Sequence, residues 1–150
     1  MAALEIPVTA IRLDAPVRTG AEALAALAEL LAPVAGRPAA QIAQALQERE
    51  RQGSTGIGHG VALPHARLEG ITEVVIAALR SAKGLPFAAP DGEDVQLLIA
   101  VLVPRNAPTI HLETLSALAA RLADAGLREK LRNTGDAADF QQQLTGVPVG

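Results

Sequence analysis

The sequence predicts an α/β fold in which a sheet is sandwiched between helices, and three observations carry that prediction. Two near-continuous apolar runs, Glu73 to Leu79 and Val95 to Val103, have the pattern of strands covered on both faces. Segments with apolar residues at helical spacing lie before and after those runs. A strand covered on both faces needs a layer on each side, and the flanking helices supply it. Hydrophobic residues make up 49% of the 150, enough for a core, and that length suits one domain spanning residues 1–150.

Taken in order, Ala10 to Val17 read as a short lead-in. Thr19 opens Thr-Gly-Ala-Glu, a capping box in which Glu22 reaches back. The helix that follows puts Leu24, Leu27 and Leu31 on one stripe and should stop before Pro33. Pro38 suits the first turn of a second helix carrying Ile42, Ala45, Leu46 and Arg49. Arg49 extends the core-facing stripe, where a guanidinium is costly unless it meets an anion, snorkels past the helix end or pairs with a carboxylate. Gly53 to Gly60 is too rich in glycine for regular structure, and Val61 to Leu63 forms a short strand cut off by Pro64. Gly84 to Gly92 is a loop with Pro86, Pro90 and an Asp-Gly turn. Thr109 caps a third long helix with Leu112, Leu115, Leu118, Ala119 and Leu122 on its apolar side, and Gly126 breaks it. A short helix, Leu127 to Asn133, and a last one capped by Asp136 and carrying Phe140 and Leu144 complete the chain.

Composition excludes several classes of function. Phe87 and Phe140 are the only aromatics of the Phe, Trp and Tyr set, so stacking platforms for single-stranded nucleic acid are missing. The formal net charge of −3 leaves no basic footprint for DNA or RNA. Without cysteine there is no disulfide, thiolate metal site or Cys nucleophile, which suits a reducing compartment. No signal peptide is evident at the N-terminus. The apolar run Leu97 to Val103 is far short of the roughly 20 residues a membrane helix needs. A cytoplasmic protein with no direct membrane insertion is the expectation.

Three histidines are available for chemistry: His59 inside the glycine-rich segment, His65 directly after Pro64, and His111 in the first turn of the third helix. A neutral imidazole with its usual pKa of about 6.5 is a competent nucleophile at cellular pH. As a phosphoryl carrier, His65 would need only a presented ring, donors for phosphate oxygens and partial exclusion of water. Pro64 fixes the backbone before the ring, and glycines let N–H groups approach an anion closely. His111, four residues before Leu115 on the inward side and at a helix N-terminus, could donate one N–H to such a phosphate, while Arg49 could supply full positive charge. Each histidine could equally be a satisfied core or surface residue.

Other chemistries fit less well. Gly56-x-Gly58-x-Gly60 lacks the Lys-Ser/Thr of a nucleotide loop and no helix follows it. His59-x5-His65 has no helical metal-ligand spacing, so neither a metal nor a cofactor is expected. Ser54 lacks the Gly-x-Ser-x-Gly elbow of a hydrolase. Asp91 and Asp94 read as turn residues, and the run Glu48 to Arg51 reads as a solvated helix end. On the residues alone, a phosphohistidine carrier is one option among several.

The stretch from Glu48 to Ala66 narrows them. Glu50, Ile57, Gly58, Val61, Ala62, Leu63, Pro64, His65 and Ala66 form an acidic residue, a hydrophobic-Gly pair and a hydrophobic-Ala-hydrophobic-Pro-His-small run. This resembles the active-site segment of the enzyme IIA family of the phosphoenolpyruvate-dependent sugar phosphotransferase system, in its fructose/mannitol branch. Phe87 to Val95 is similar to the family's central loop, and His111-Leu112-x-Thr114-Leu115 to its helix-borne second histidine motif. The resemblance implies a three-layer fold with a mixed sheet between helices. It implies that His65 is the phosphorylated nucleophile, His111 an accessory histidine that hydrogen-bonds the phosphate, and Arg49 the group that stabilises its charge.

Within the branch, the solitary domain and Arg49-Glu50-Arg51-x-Gly53-Ser54-Thr55-Gly56-Ile57-Gly58 look most like the nitrogen-related regulatory type. That implies a histidine phosphocarrier protein as phosphoryl donor and a target regulated by phosphorylation state. Two alternatives stand beside it. A sugar-specific enzyme IIA would pass phosphate to a IIB domain during transport, and a non-catalytic binding module would keep only the fold.

Overall fold

Strands and helices follow one another in a computed structural model that describes residues 4–87 and 89–146, the side chains of Pro108, Ile110 and His111 excepted. After a single 3-10 turn come β1 (Ile11–Ala15), α1 (Gly20–Ala35), α2 (Ala39–Arg51), and three short strands, β2 (Gly56–Gly58), β3 (Val61–Ala62) and β4 (His65–Leu68). The long strands β5 (Val75–Leu85) and β6 (Val95–Pro104) precede α3 (Pro108–Leu122), α4 (Ala125–Asn133) and α5 (Ala137–Thr145). The six strands form one sheet in the order β1-β5-β6-β3-β2, with β4 also paired to β6. The sheet is mixed: β5 and β6 pair antiparallel, whereas β1 runs parallel to β5, and β3 and β4 run parallel to β6.

Alternation along β6 divides the core. Leu98, Ala100 and Leu102 point to the layer of α1 and α2, where Leu24, Leu27, Leu31, Ile42 and Leu46 are buried. Leu97, Ile99, Val101 and Val103 point the other way, onto Leu118, Leu122, Leu127, Leu131, Phe140 and Leu144 of α3, α4 and α5. The expected sheet between two helical layers is therefore what the chain forms, and β6 is covered on both faces as its apolar run requires.

Several boundaries differ from the sequence expectation, each for a local reason. The lead-in 10–17 contains β1, whose Ile11 and Arg12 register with Ala78 and Leu79 at the edge of the sheet. α1 does not stop before Pro33 but runs to Ala35 and ends on Gly36 in the left-handed conformation. Pro33 and Glu29 are both exposed, so the carbonyl that loses its N–H partner there faces water. Glu22 reaches the Arg18 N–H (3.4 Å), not that of the N-cap Thr19, while Thr19 accepts from the Glu22 N–H as a cap should. Pro38 has extended ψ and is the N-cap of α2 rather than a first-turn residue.

The glycine-rich stretch 53–60 is not wholly irregular, because Gly56–Gly58 pairs antiparallel with β3. β5 extends to Leu85, which still registers with Val95, so the loop begins after Leu85 rather than at Gly84. Thr109 is not a cap: α3 starts at Pro108 after Ala107, consistent with the ring's preset φ at a first helical position. Gly126 does not separate the helices either. It lies inside α4, which begins at Ala125 because Asp124 accepts the N–H groups of Gly126 and Leu127. Finally, Leu112 is 66% exposed and does not belong to the buried side of α3.

Candidate functional site

The backbone that presents His65 is pinned from both sides. Pro64, two residues beyond the end of β3, has no N–H to give a ladder, and its carbonyl accepts the Val101 N–H at 2.9 Å. β4 then restarts parallel to β6, with His65 opposite Val101. Ala66 and Leu68 pack toward α1 and α2, so alternation turns the half-buried His65 toward α3. Its Nδ1 lies 2.7 Å from the Leu63 carbonyl oxygen. A carbonyl only accepts, so Nδ1 carries the proton and the ring's lone pair lies on Nε2.

Burial lowers the pKa of His65 below its ordinary value of 6.5. The Leu63 hydrogen bond opposes this, the Arg49 charge lowers it further, and the Glu50 charge raises it. The ring is thereby favoured as neutral imidazole, the nucleophilic form.

His65 opens on a cleft of about 360 Å³ between the end of α2, the 54–57 segment and α3, walled by Arg49, Ser54, Ile57, Leu115, Ser116 and Ala119. Arg49, half-buried in the last turn of α2, donates to the Gly53 carbonyl at 2.9 Å, which fixes the guanidinium at the cleft. Next to it, Glu50 does not behave as part of a solvated helix end. Its Oε1 accepts the Thr55 N–H (2.9 Å) and its Oε2 accepts the Thr55 hydroxyl (2.7 Å). Glu48 and Arg51 do match the solvated reading, as an exposed pair 2.7 Å apart.

The expectation that glycine-loop amides would cradle an anion is narrowed by the same geometry. The N–H groups of Thr55, Gly56 and His59 are already engaged by Glu50, the Ser54 hydroxyl and Asp91. Among the described residues that wall the cleft, Arg49 is the cation. His111 lies one turn before Leu115, a wall residue, but its side chain lies outside the described residues.

His59 is drawn elsewhere. It adopts a positive φ of 58°, its N–H is held by Asp91 at 2.8 Å, and Arg132 donates to its carbonyl. It lines a separate polar cleft with Lys83, Asp91, Arg128 and Arg132. Asp91 is thus more than a local turn residue: it binds amides of both His59 and Glu93, and those bonds, that from His59 first, lower its pKa. Gly60 beside it has φ of 77°, and a Cβ there would lie 2.9 Å from the Arg132 guanidinium. Only glycine fits that turn without displacing Arg132.

Sequence reasoning brought His65 and Arg49 to the cleft and missed Thr55, Leu115 and Ser116 as its neighbours. No periodicity marks Thr55, because the link from Glu50 crosses a helix end into an irregular segment.

The sequence profile of the family described as phosphoenolpyruvate-dependent sugar phosphotransferase system, EIIA 2, matches residues 6–146. A fructose-specific EIIA component of the phosphotransferase system from Haloferax volcanii is 36% identical over 143 residues, covering 94% of this chain and 92% of that protein. A nitrogen regulatory protein from Pseudomonas aeruginosa is 41% identical over 105 residues, covering 70% and 68% respectively. The crystal structure of the nitrogen regulatory protein IIA-Ntr from Neisseria meningitidis superposes with a TM-score of 0.89 at 36% identity, covering 93% of this chain and 96% of that one.

Proposed function

The chain belongs to the EIIA 2 family of the phosphoenolpyruvate-dependent sugar phosphotransferase system, and from that premise we propose that it carries a phosphoryl group on His65 Nε2 as a phosphorylation-dependent regulator. The observation that carries the reading is a neutral-favoured ring, locked through Nδ1 to the Leu63 carbonyl, on a cleft that also holds the Arg49 guanidinium. The nitrogen regulatory relatives favour the regulatory role over transport. The whole chain acts as one domain in the cytoplasm.

The donor is a histidine phosphocarrier protein. Its phosphoimidazole meets His65, whose Nε2 lone pair attacks phosphorus in line. The donor ring is protonated on the nitrogen that does not carry phosphorus, so as the Nε2–P bond forms and the donor's N–P bond breaks, the bonding pair returns to that ring and it leaves as a neutral imidazole. His65 keeps its Nδ1 proton and becomes a phosphoimidazolium, whose positive charge the Leu63 carbonyl supports. Arg49 neutralises the oxygens of the moving phosphoryl group, and His111 donates a hydrogen bond to them. The regulated target then reads the modified face.

The fructose-specific relative supports a second reading, in which the phosphoryl group passes to a IIB domain. Intact-mass spectrometry after incubation with phosphoenolpyruvate, enzyme I and the phosphocarrier tests the shared core. One acid-labile phosphoryl group is expected on the wild type and none on His65→Ala. In the same assay Arg49→Gln and His111→Ala should slow labelling without changing its stoichiometry. Undiminished labelling of His65→Ala would overturn the assignment. Adding a IIB domain then separates the readings: discharge to it favours transport, and retention favours regulation.

A further inference from the structure

A continuous hydrogen-bonded path joins Glu50 to the reactive ring. The Glu50 carboxylate holds Thr55 at both its N–H (2.9 Å) and its hydroxyl (2.7 Å). The Thr55 carbonyl accepts the Leu63 N–H at 3.0 Å, and the Leu63 carbonyl accepts Nδ1–H of His65 at 2.7 Å. Building on the phosphocarrier reading above, we propose that Glu50 is a positioning residue for phosphoryl transfer, acting through Thr55 and Leu63 to fix the orientation and tautomer of His65.

Burial and geometry both favour this over a simple helix-end contact. Thr55 is buried, and a carboxylate that accepts two short bonds in a part-buried setting holds its partner more firmly than a neutral group would. The hairpin it stabilises is weak by itself, since β2 and β3 have three and two residues and an irregular register between Gly56 and Gly58. Release of Thr55 would loosen the Thr55–Leu63 bond that closes the hairpin, and with it the carbonyl that selects the Nδ1–H tautomer. The adjacent Arg49 is set at the cleft by the same helix end. One turn of α2 thus supplies both the charge facing the phosphate and the clamp behind the nucleophile.

The test compares Glu50→Gln, Thr55→Val and Thr55→Ser. Glutamine keeps the shape of Glu50 but its NH₂ cannot accept, so one of the two Thr55 bonds is lost. Valine removes only the hydroxyl and leaves the Glu50 charge in place, whereas serine restores the donor. Long-range ¹H–¹⁵N spectra of the unphosphorylated proteins report the His65 tautomer, and initial labelling rates report transfer.

Glu50→Gln and Thr55→Val are each expected to shift His65 toward a tautomer mixture and to label about tenfold more slowly, with Thr55→Ser within about twofold of wild type. An unchanged tautomer with labelling within about twofold in both Glu50→Gln and Thr55→Val would overturn the proposal. An effect in Glu50→Gln but not in Thr55→Val would also overturn it, since it would show a direct charge effect instead of a clamp. If Glu50→Gln loses its dispersed amide spectrum, the Thr55 pair decides alone. Failure of the wild type to accept a phosphoryl group would count against the phosphocarrier reading, while the tautomer comparison would still decide the link from Glu50 to the ring.

Discussion

At the scale of single residues, the chemistry turns on which form of His65 is populated. Burial is the largest influence on the ring and disfavours the imidazolium, so its titration midpoint in the folded protein should lie below 6.5. A ¹⁵N-detected pH titration checks this, and a midpoint at or above 6.5 would contradict it. The sign for stability follows from linkage. Between the lowered folded pKa and 6.5, the unfolded chain binds the proton and the folded protein does not. The contribution of His65 to stability is therefore full above 6.5 and is lost as pH falls from there through the folded pKa. Glu50 moderates the effect by favouring the cation, so Glu50→Gln should move the midpoint further down. Arg49 is the converse case. Its stripe position left open an anion, a path past the helix end or a carboxylate partner, and in the folded chain it donates to the Gly53 carbonyl beside the cleft.

Among the elements, the helix ends show how local chemistry fixes boundaries. Asp136 caps α5 by accepting the N–H groups of Ala138 (2.7 Å) and Asp139 (3.4 Å), and the helix it starts buries Phe140 and Leu144. Asp136→Ala should cost about 1 kcal/mol of folding stability, seen as a lower urea midpoint. A loss no greater than that of Gln142→Ala, at an exposed position of the same helix, would deny the cap this role. The caps at Thr19 and Asp136 were legible because a cap is a short-range signal between residues two or three apart. The end of α1 was not, since whether Pro33 terminates a helix depends on whether the orphaned carbonyl faces solvent.

For the molecule as a whole, the most consequential polar feature joins parts of the chain that sequence keeps far apart. Arg80, 6% exposed in the middle of β5, bonds Asp14 on β1 and the carbonyls of Leu131 and Thr134 at the C-terminal end of α4. The helix end favours a cation there, and Asp14 meets it from a backbone with φ of 55°. Arg80→Ala strands buried carbonyls and should cost about 3 kcal/mol. Asp14→Ala should cost about 1 kcal/mol or less, because that carboxylate is largely exposed and its attraction is screened. Chemical denaturation of the two variants checks the ranking, and an equal loss would mean that the ion pair, not the carbonyl bonds, dominates.

By itself the sequence determined the layered α/β fold, the two long buried strands and the presence of His65 after Pro64, because period, propensity and punctuation are local properties. It also placed Arg49 and His65 within one motif whose spacing resembles an enzyme IIA site. Tertiary structure alone decided the rest. The strand within 10–17 became visible only through its partner β5, and Leu112 proved exposed near the start of α3 although the helical period puts it on the stripe of Leu115 and Ala119. His59 was carried to a different cleft from His65, although six positions separate them, because His59 sits in the turn between β2 and β3 whereas His65 opens β4. The Glu50–Thr55–Leu63–His65 path exists only once that hairpin closes. Hydrogen bonds across a turn depend on distances that no periodicity encodes.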